Sequence, residues 1–206
     1  PSRSDPALRA LLCVAPGDDV RDDAAFPAGL TDANLDNNEQ LDLRRENSWT
    51  AQLEDVSTPE LAEVFAINAL APFVINSKLV PGMKRGASDK RRRFVVNVSA
   101  MEGKFYRQKQ PTHPHTNMAK AALNMMTKTT APALAEAHVY MTAVDTGWVN
   151  DEKPNHLAAD HAARHRFQTP IDEVDAASRI LDPVFCGLVD TPVFGVFLKD
   201  YGETEW

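Results

Sequence analysis

An α/β fold on a parallel sheet is the class this sequence predicts, and three observations predict it. Short apolar runs at 94–98 (FVVNV), 139–144 (VYMTAV) and 193–198 (VFGVFL) have the length and composition of strands. Helix-patterned segments at about 116–136 and about 171–181 lie between them. The runs are apolar at successive positions, as in strands covered on both faces. Strand, helix, strand, helix, strand implies right-handed parallel crossovers.

Composition sets the bounds. With 206 residues and 43% hydrophobic content, the chain has enough apolar surface for one core of ordinary size. A net charge of -7 argues against a general nucleic-acid binder, because phosphate contacts are made with Lys and Arg. No unbroken apolar run approaches the roughly 20 residues that cross a bilayer, so no membrane span is expected. Cys13 and Cys186 lie far apart in sequence, which supports neither a disulfide framework nor a zinc site. They point to a reducing intracellular compartment, cytoplasm or organelle, rather than to secretion. The sequence opens on Pro1, with neither a secretory apolar stretch nor an Arg-rich presequence behind it, and reads as a processed product, a fragment or part of something longer.

Taken in order, residues 1–56 read as a loop-rich N-terminal segment or insertion. They are rich in Asp, Asn, Pro and Gly, and only 7–14 (ALRALLCV) makes a compact apolar run. Trp49, Leu53 and Val56 fall at i, i+4, i+7, which predicts a short helix there. Thr58 as N-cap, Pro59 at the first helical position and Glu60 in the first turn open the next helix. Its apolar stripe runs on toward Val80 through Pro72, which removes a ladder hydrogen bond and predicts a kink or break near Asn68–Ala69. Asn68 is either a satisfied core amide or a functional one. Lys84, Arg85 and Lys90-Arg91-Arg92-Arg93 read as an exposed turn before the first strand, or as a docking patch for an acidic partner or a cofactor phosphate. Three parallel strands leave an apolar edge at 94–98, so the sheet is expected to be completed by residues outside this chain.

Two short motifs flank the gap between the first strand and its helix. Asn97-Val98-Ser99-Ala100 stands at the strand's exit, and Thr116-Asn117-Met118-Ala119-Lys120 at the helix's start. Together with Asn68 in INALAPFV and Val144-Asp145-Thr146-Gly147-Trp148-Val149, they resemble the second half of the short-chain dehydrogenase/reductase family, over roughly 59–201. The resemblance implies a three-layer Rossmann-like sheet of which residues 57–206 form the C-terminal part, strands five to seven of the family fold. It implies NAD or NADP as cofactor if the N-terminal half is present, and possibly none otherwise. That half is expected from the same polypeptide or from another subunit, in an oligomer or complex. No Gly-rich strand-to-helix turn for a dinucleotide pyrophosphate is found in this sequence.

Carried over residue by residue, the resemblance makes Lys120 and Asn68 catalytic, and Lys120, Asn97, Thr146 and Gly147 cofactor-binding. It also exposes two gaps. The family's catalytic Ser and Tyr positions are Ala100 and Thr116. Ketone reduction needs a proton donor at the carbonyl oxygen, and an aliphatic alcohol is far too weak an acid to replace a phenol. Ser99 is one residue from Ala100 but faces the other side of a continuing strand. Tyr106, His113 and His115 are candidates to substitute, with His115 or Tyr106 as the surrogate acid; the alternative is that they are helix-entry and surface residues. His161 and His165 at i, i+4 invite a metal reading, but no carboxylate or Cys motif joins them and no metal is assigned. Two functions follow: an oxidoreductase with an unusual or impaired site, or a catalytically inactive relative, a pseudoenzyme serving as a structural or interaction subunit.

Overall fold

The computed structural model describes residues 22–31, 40–105, 108–165 and 169–206. A first helix, α1 (Thr58–Phe65), is capped by Ser57, whose hydroxyl accepts from Glu60 N, with Pro at its start. The N-cap is thus one residue earlier than Thr58. No kink follows. A single π-helical turn (Ala66–Leu70) carries the chain into α2 (Ala71–Gly86), so the ladder bond that Pro72 cannot make is absorbed by widening one turn.

The strands are β1 (Arg93–Ser99), β2 (Val139–Asp145), β3 (Phe197–Lys199) and β4 (Gly202–Thr204), in the spatial order β1-β2-β3-β4. The first three are parallel, with Arg93 opposite Val139 and Ala143 opposite Phe197. β4 returns antiparallel against β3, so the sheet is mixed. β3 also begins later than the run at 193–198 suggests. Gly195, with φ 66, donates to Met141 O and turns the chain before the ladder starts.

Between the strands lie α3 (Pro114–Ala135), α4 (Asn155–His165) and α5 (Glu173–Val189). The side-chain alternation of β1 assigns the layers. Asn97 donates to Thr127 of α3, whereas Phe94, one pleat over, lies where a Cβ at Gly187 of α5 would touch it. Helices therefore cover both faces, which makes three layers. Ala131, Leu134, Val139 and Met141 form the central cluster, with Val80, Met83 and Val95 packed around it.

Two expectations need correction. Residues 49–56 form turns rather than a helix. Asp55 Oδ2 accepts from Gln52 N and Asn47 Oδ1 from Trp49 N, so side chains compete for the amides a helix would use. The helical run Thr58–Gly86, 29 residues long, is also long and apolar enough to cross a membrane, although its apolar residues are interrupted in sequence. Within it Ile67, Leu70, Phe73, Val74 and Leu79 are each more than half exposed. The run nevertheless packs against α3 and β2, and Asn76 donates to Asn97 of β1.

The turn leaving β1 presses on α3. A Cβ at Gly103 would lie 2.5 Å from Asn124 Nδ2 and 2.8 Å from the Lys120 carbonyl group. Gly103→Ala is therefore expected to destabilise the fold by about 1–3 kcal/mol. A urea midpoint unchanged from wild type would contradict this packing.

Candidate active site

Open α/β sheets put ligands outside the carboxyl ends of their strands, and two cavities border β1 here, one along Val95–Val98 and one beyond its exit at Ala100. The first, about 320 Å³, is lined by Asn68, Asn76, Asn97, Val98 and Lys120. The second, about 690 Å³, is lined by Ala100, Glu102, His113, Asn117, Asp145, Gly147, Trp148 and Lys199 among others.

Lys120 sits on the first turns of α3 and donates from Nζ to Val98 O at 3.2 Å. Burial pushes its ammonium below the ordinary lysine range, and Glu102 pulls it partly back up. Asn68 lies in the π-helical turn and donates from Nδ2 to Val64 O at 3.1 Å. The extra residue of that turn re-aims a polar side chain on an otherwise apolar helix. Asn97 is more committed than the sequence suggests. It donates to Thr127 at 2.9 Å and accepts from Asn76 at 3.2 Å, so it ties β1 to α2 and α3.

Gly147 lines the second cavity with φ 92, and a Cβ there would meet Arg179 Nη1 at 2.8 Å. Thr146 lines neither cavity; its carbonyl accepts from Arg179. Thr116 lines neither. Ala100 lines the second, while Ser99 is buried with no partner for its hydroxyl. His115 is buried on another flank of α3, with Nε2 3.8 Å from Glu60 Oε1 and no hydrogen-bond partner on either ring nitrogen, and it lines neither cavity. Tyr106 lies outside the described residues.

Several contacts of the site join residues that the sequence motifs do not pair. Asp145 Oδ2 receives Lys199 Nζ at 2.6 Å, and Asp145 Oδ1 accepts from Gly147 N at 2.9 Å. The pairing depends on the register of β2 and β3, but both residues end strands, where sites in this architecture collect. Trp49 stacks on His113 with ring centres 4.0 Å apart. Asn47 donates to Glu152 O and Asn155 N to Asp42 O, so the segment 40–56 is stitched over the loop after β2. His161 contacts Asp151 and Trp148, and no metal-holding group of three His, Cys, Asp or Glu side chains occurs among the described residues.

The basic run stands at the opposite, amino end of β1. Arg92 is spent on the carbonyls of Gly187 and Asp190, and Arg93 on that of Gly86. These guanidiniums close the end of the sheet rather than face either cavity.

Burial lowers the His115 imidazole below the usual histidine range; Glu60 opposes this and His113 adds to it. The unfolded chain has the ordinary value near 6.5, so below it the unfolded state binds a proton the native state refuses. Stability is then complete above about pH 6.5 and falls as the pH drops through that value. His115→Leu is expected to flatten this loss between about pH 8 and about pH 5.5. Equal slopes for variant and wild type in urea titrations would contradict it.

This arrangement has relatives. The profile of the short chain dehydrogenase family matches residues 30–161. An uncharacterised protein of Acanthamoeba polyphaga mimivirus is 33% identical over 153 residues, covering 70% of this chain and 31% of that protein. The C-signal protein of Myxococcus xanthus is 31% identical over 104 residues, covering 50% and 60%. The chain thus spans less than two thirds of either relative. Among solved structures, the carbonyl reductase Sniffer of D. melanogaster superposes with a TM-score of 0.58 at 17% identity, covering 76% of this chain and 61% of that one. RhlG of Pseudomonas aeruginosa, in complex with NADP, gives 0.55 at 22%, covering 75% and 61%.

The three-layer sheet with cavities beside its strand ends is that of a Rossmann-like α/β protein. Within that class, the chain belongs to the short-chain dehydrogenase family.

Proposed function

We propose that the chain carries the reaction half of a nicotinamide-dependent oxidoreductase acting on a carbonyl or its alcohol, and that the nucleotide-binding half comes from a preceding part of the polypeptide or another subunit. The observation that carries this reading is the meeting of Lys120 and Asn68, from α3 and the π-helical turn, in one cavity beside the exit of β1. The donors there are an ammonium and carboxamides with no carboxylate, a set suited to ribose hydroxyls and a nicotinamide amide. No pyrophosphate cradle stands among the described residues, so tight binding needs the other half.

The cofactor supplies hydride when bound. Lys120, with two donors left beyond Val98 O, holds hydroxyls and keeps a positive charge near the reacting centre. Asn68 orients them by hydrogen bonding. Asn117 and the Asp145–Lys199 pair, which line the second cavity, position the substrate.

One observation favours a second reading, an inactive scaffold in an assembly: neither Ala100 nor Thr116 offers an acidic hydroxyl at the family's Ser and Tyr positions. Consumption of NADH or NADPH by the native-length protein with a panel of aldehydes, ketones and quinones separates the two. Turnover supports the oxidoreductase; nucleotide-free protein in a stable complex, with no turnover, supports the scaffold.

A further inference from the structure

We propose that His113 is the proton donor and acceptor of this site, in place of the phenol that Thr116 does not provide; the proposal rests on the oxidoreductase reading. His113 Nδ1 lies 2.9 Å from Trp49 O. A carbonyl oxygen only accepts, so in the neutral ring the proton resides on Nδ1 and the lone pair on Nε2. When the ring is charged, Nε2 carries the proton that can be given away. The Trp49 carbonyl thus does for this imidazole what an orienting group does in acid-base sites generally.

The ring is held in place from three sides. It stacks on Trp49 at 4.0 Å and an interplanar angle of 7°. Its backbone N donates to Ala51 O at 2.8 Å, and Thr112 Oγ1 lies 3.0 Å from Nδ1. It also sits at φ 44 as N-cap of α3, a left-handed conformation uncommon for a non-glycine residue, although His adopts it more often than most. Strain of this kind clusters at functional positions. The ring borders the 690 Å³ cavity together with Ala100, Asn117 and Gly147. The titratable and charged groups sharing that cavity are Glu102, Lys109, Asp145, Asp151, Glu152, Lys153 and Lys199, and His115 is near enough to interact with the ring electrostatically.

In reduction, the substrate carbonyl carbon receives a hydride from the dihydronicotinamide, which is oxidised. The carbonyl π pair forms the new O–H bond with the proton from Nε2 of the imidazolium, whose N–H bond breaks to leave a neutral ring protonated on Nδ1. Alcohol oxidation runs the same transfers backwards.

Two variants test this in the native-length protein, with NADPH and 9,10-phenanthrenequinone as probes. His113→Gly suits φ 44 and opens space for added imidazole; His113→Asn tolerates the same backbone but has no transferable proton. Both are expected to lose kcat by about 100-fold or more, with KM and NADPH affinity little changed, and imidazole is expected to restore His113→Gly. In protein free of nucleotide, 15N NMR is expected to show the Nδ1-protonated tautomer, with Nε2 shifted by the quinone. Wild-type kcat in both variants, an Nε2-protonated tautomer, or loss of kcat together with NADPH affinity and without imidazole rescue would overturn the assignment while leaving the oxidoreductase reading standing. A wild type that binds neither NADH nor NADPH would overturn both.

Discussion

Lys120→Met is expected to lower NAD(P)H-dependent turnover by about 10²–10⁴-fold while leaving the fold nearly as stable as before. The asymmetry comes from the position of the side chain. Its stem runs along α3 into the cavity beside β1, a path that the thioether of Met can follow at similar volume. The ammonium is lost, and with it the charge that Glu102 favours against burial and the donor resting on Val98 O. Steady-state kinetics beside thermal unfolding measures both quantities. Unchanged turnover would remove the oxidoreductase reading, whereas failure to fold or assemble would show that the charge serves the architecture.

Asp145→Ala should be the most damaging change on the second cavity. Asp145 is 3% exposed at its side chain and Lys199 23%, and their contact is 2.6 Å. Truncating one partner strands a largely buried ammonium and removes the acceptor of Gly147 N, at a cost of about 3 kcal/mol, the low end for a broken buried pair because Lys199 retains some water. The companion change Lys199→Met in the same chain is expected to recover much of that loss, since the unpaired charge goes with it. Denaturant unfolding of the two single variants and the double variant measures the coupling. Additive losses would mean that the pair does not act as a unit.

The elements legible in the sequence were those whose pattern is local. β1 and β2 read as apolar runs covered on both faces, and α3 as a long segment rich in Ala, Leu and Met; the structure moves their ends by one or two residues. β4 has three residues and no pattern and is not visible, whereas α4 arises in a polar stretch where only the i, i+4 spacing of His161 and His165 suggests a solvated helix. α5 runs on from the predicted segment to Val189, with Asp172 as its N-cap, because Pro183 within it does not end it.

At the site, legibility follows the same division. Lys120, Asn68, Ala100 and Gly147 were found as motif residues and the structure gathers each at one of the two strand-end cavities. His113 and His115 differ by two positions and look alike in sequence. Only the left-handed backbone at His113 turns one ring to Trp49 and the cavity and leaves the other buried near Glu60. The Asp145–Lys199 contact needs the register of β2 on β3, which no periodicity encodes.

Native mass spectrometry of the purified protein, followed by denaturation of the same sample, tests the central claim most directly. The account predicts a polypeptide or complex well above 22.7 kDa that sheds NAD or NADP on denaturation. A nucleotide-free assembly whose subunits have the mass of this chain alone, and which takes up neither nucleotide when it is added, would contradict it.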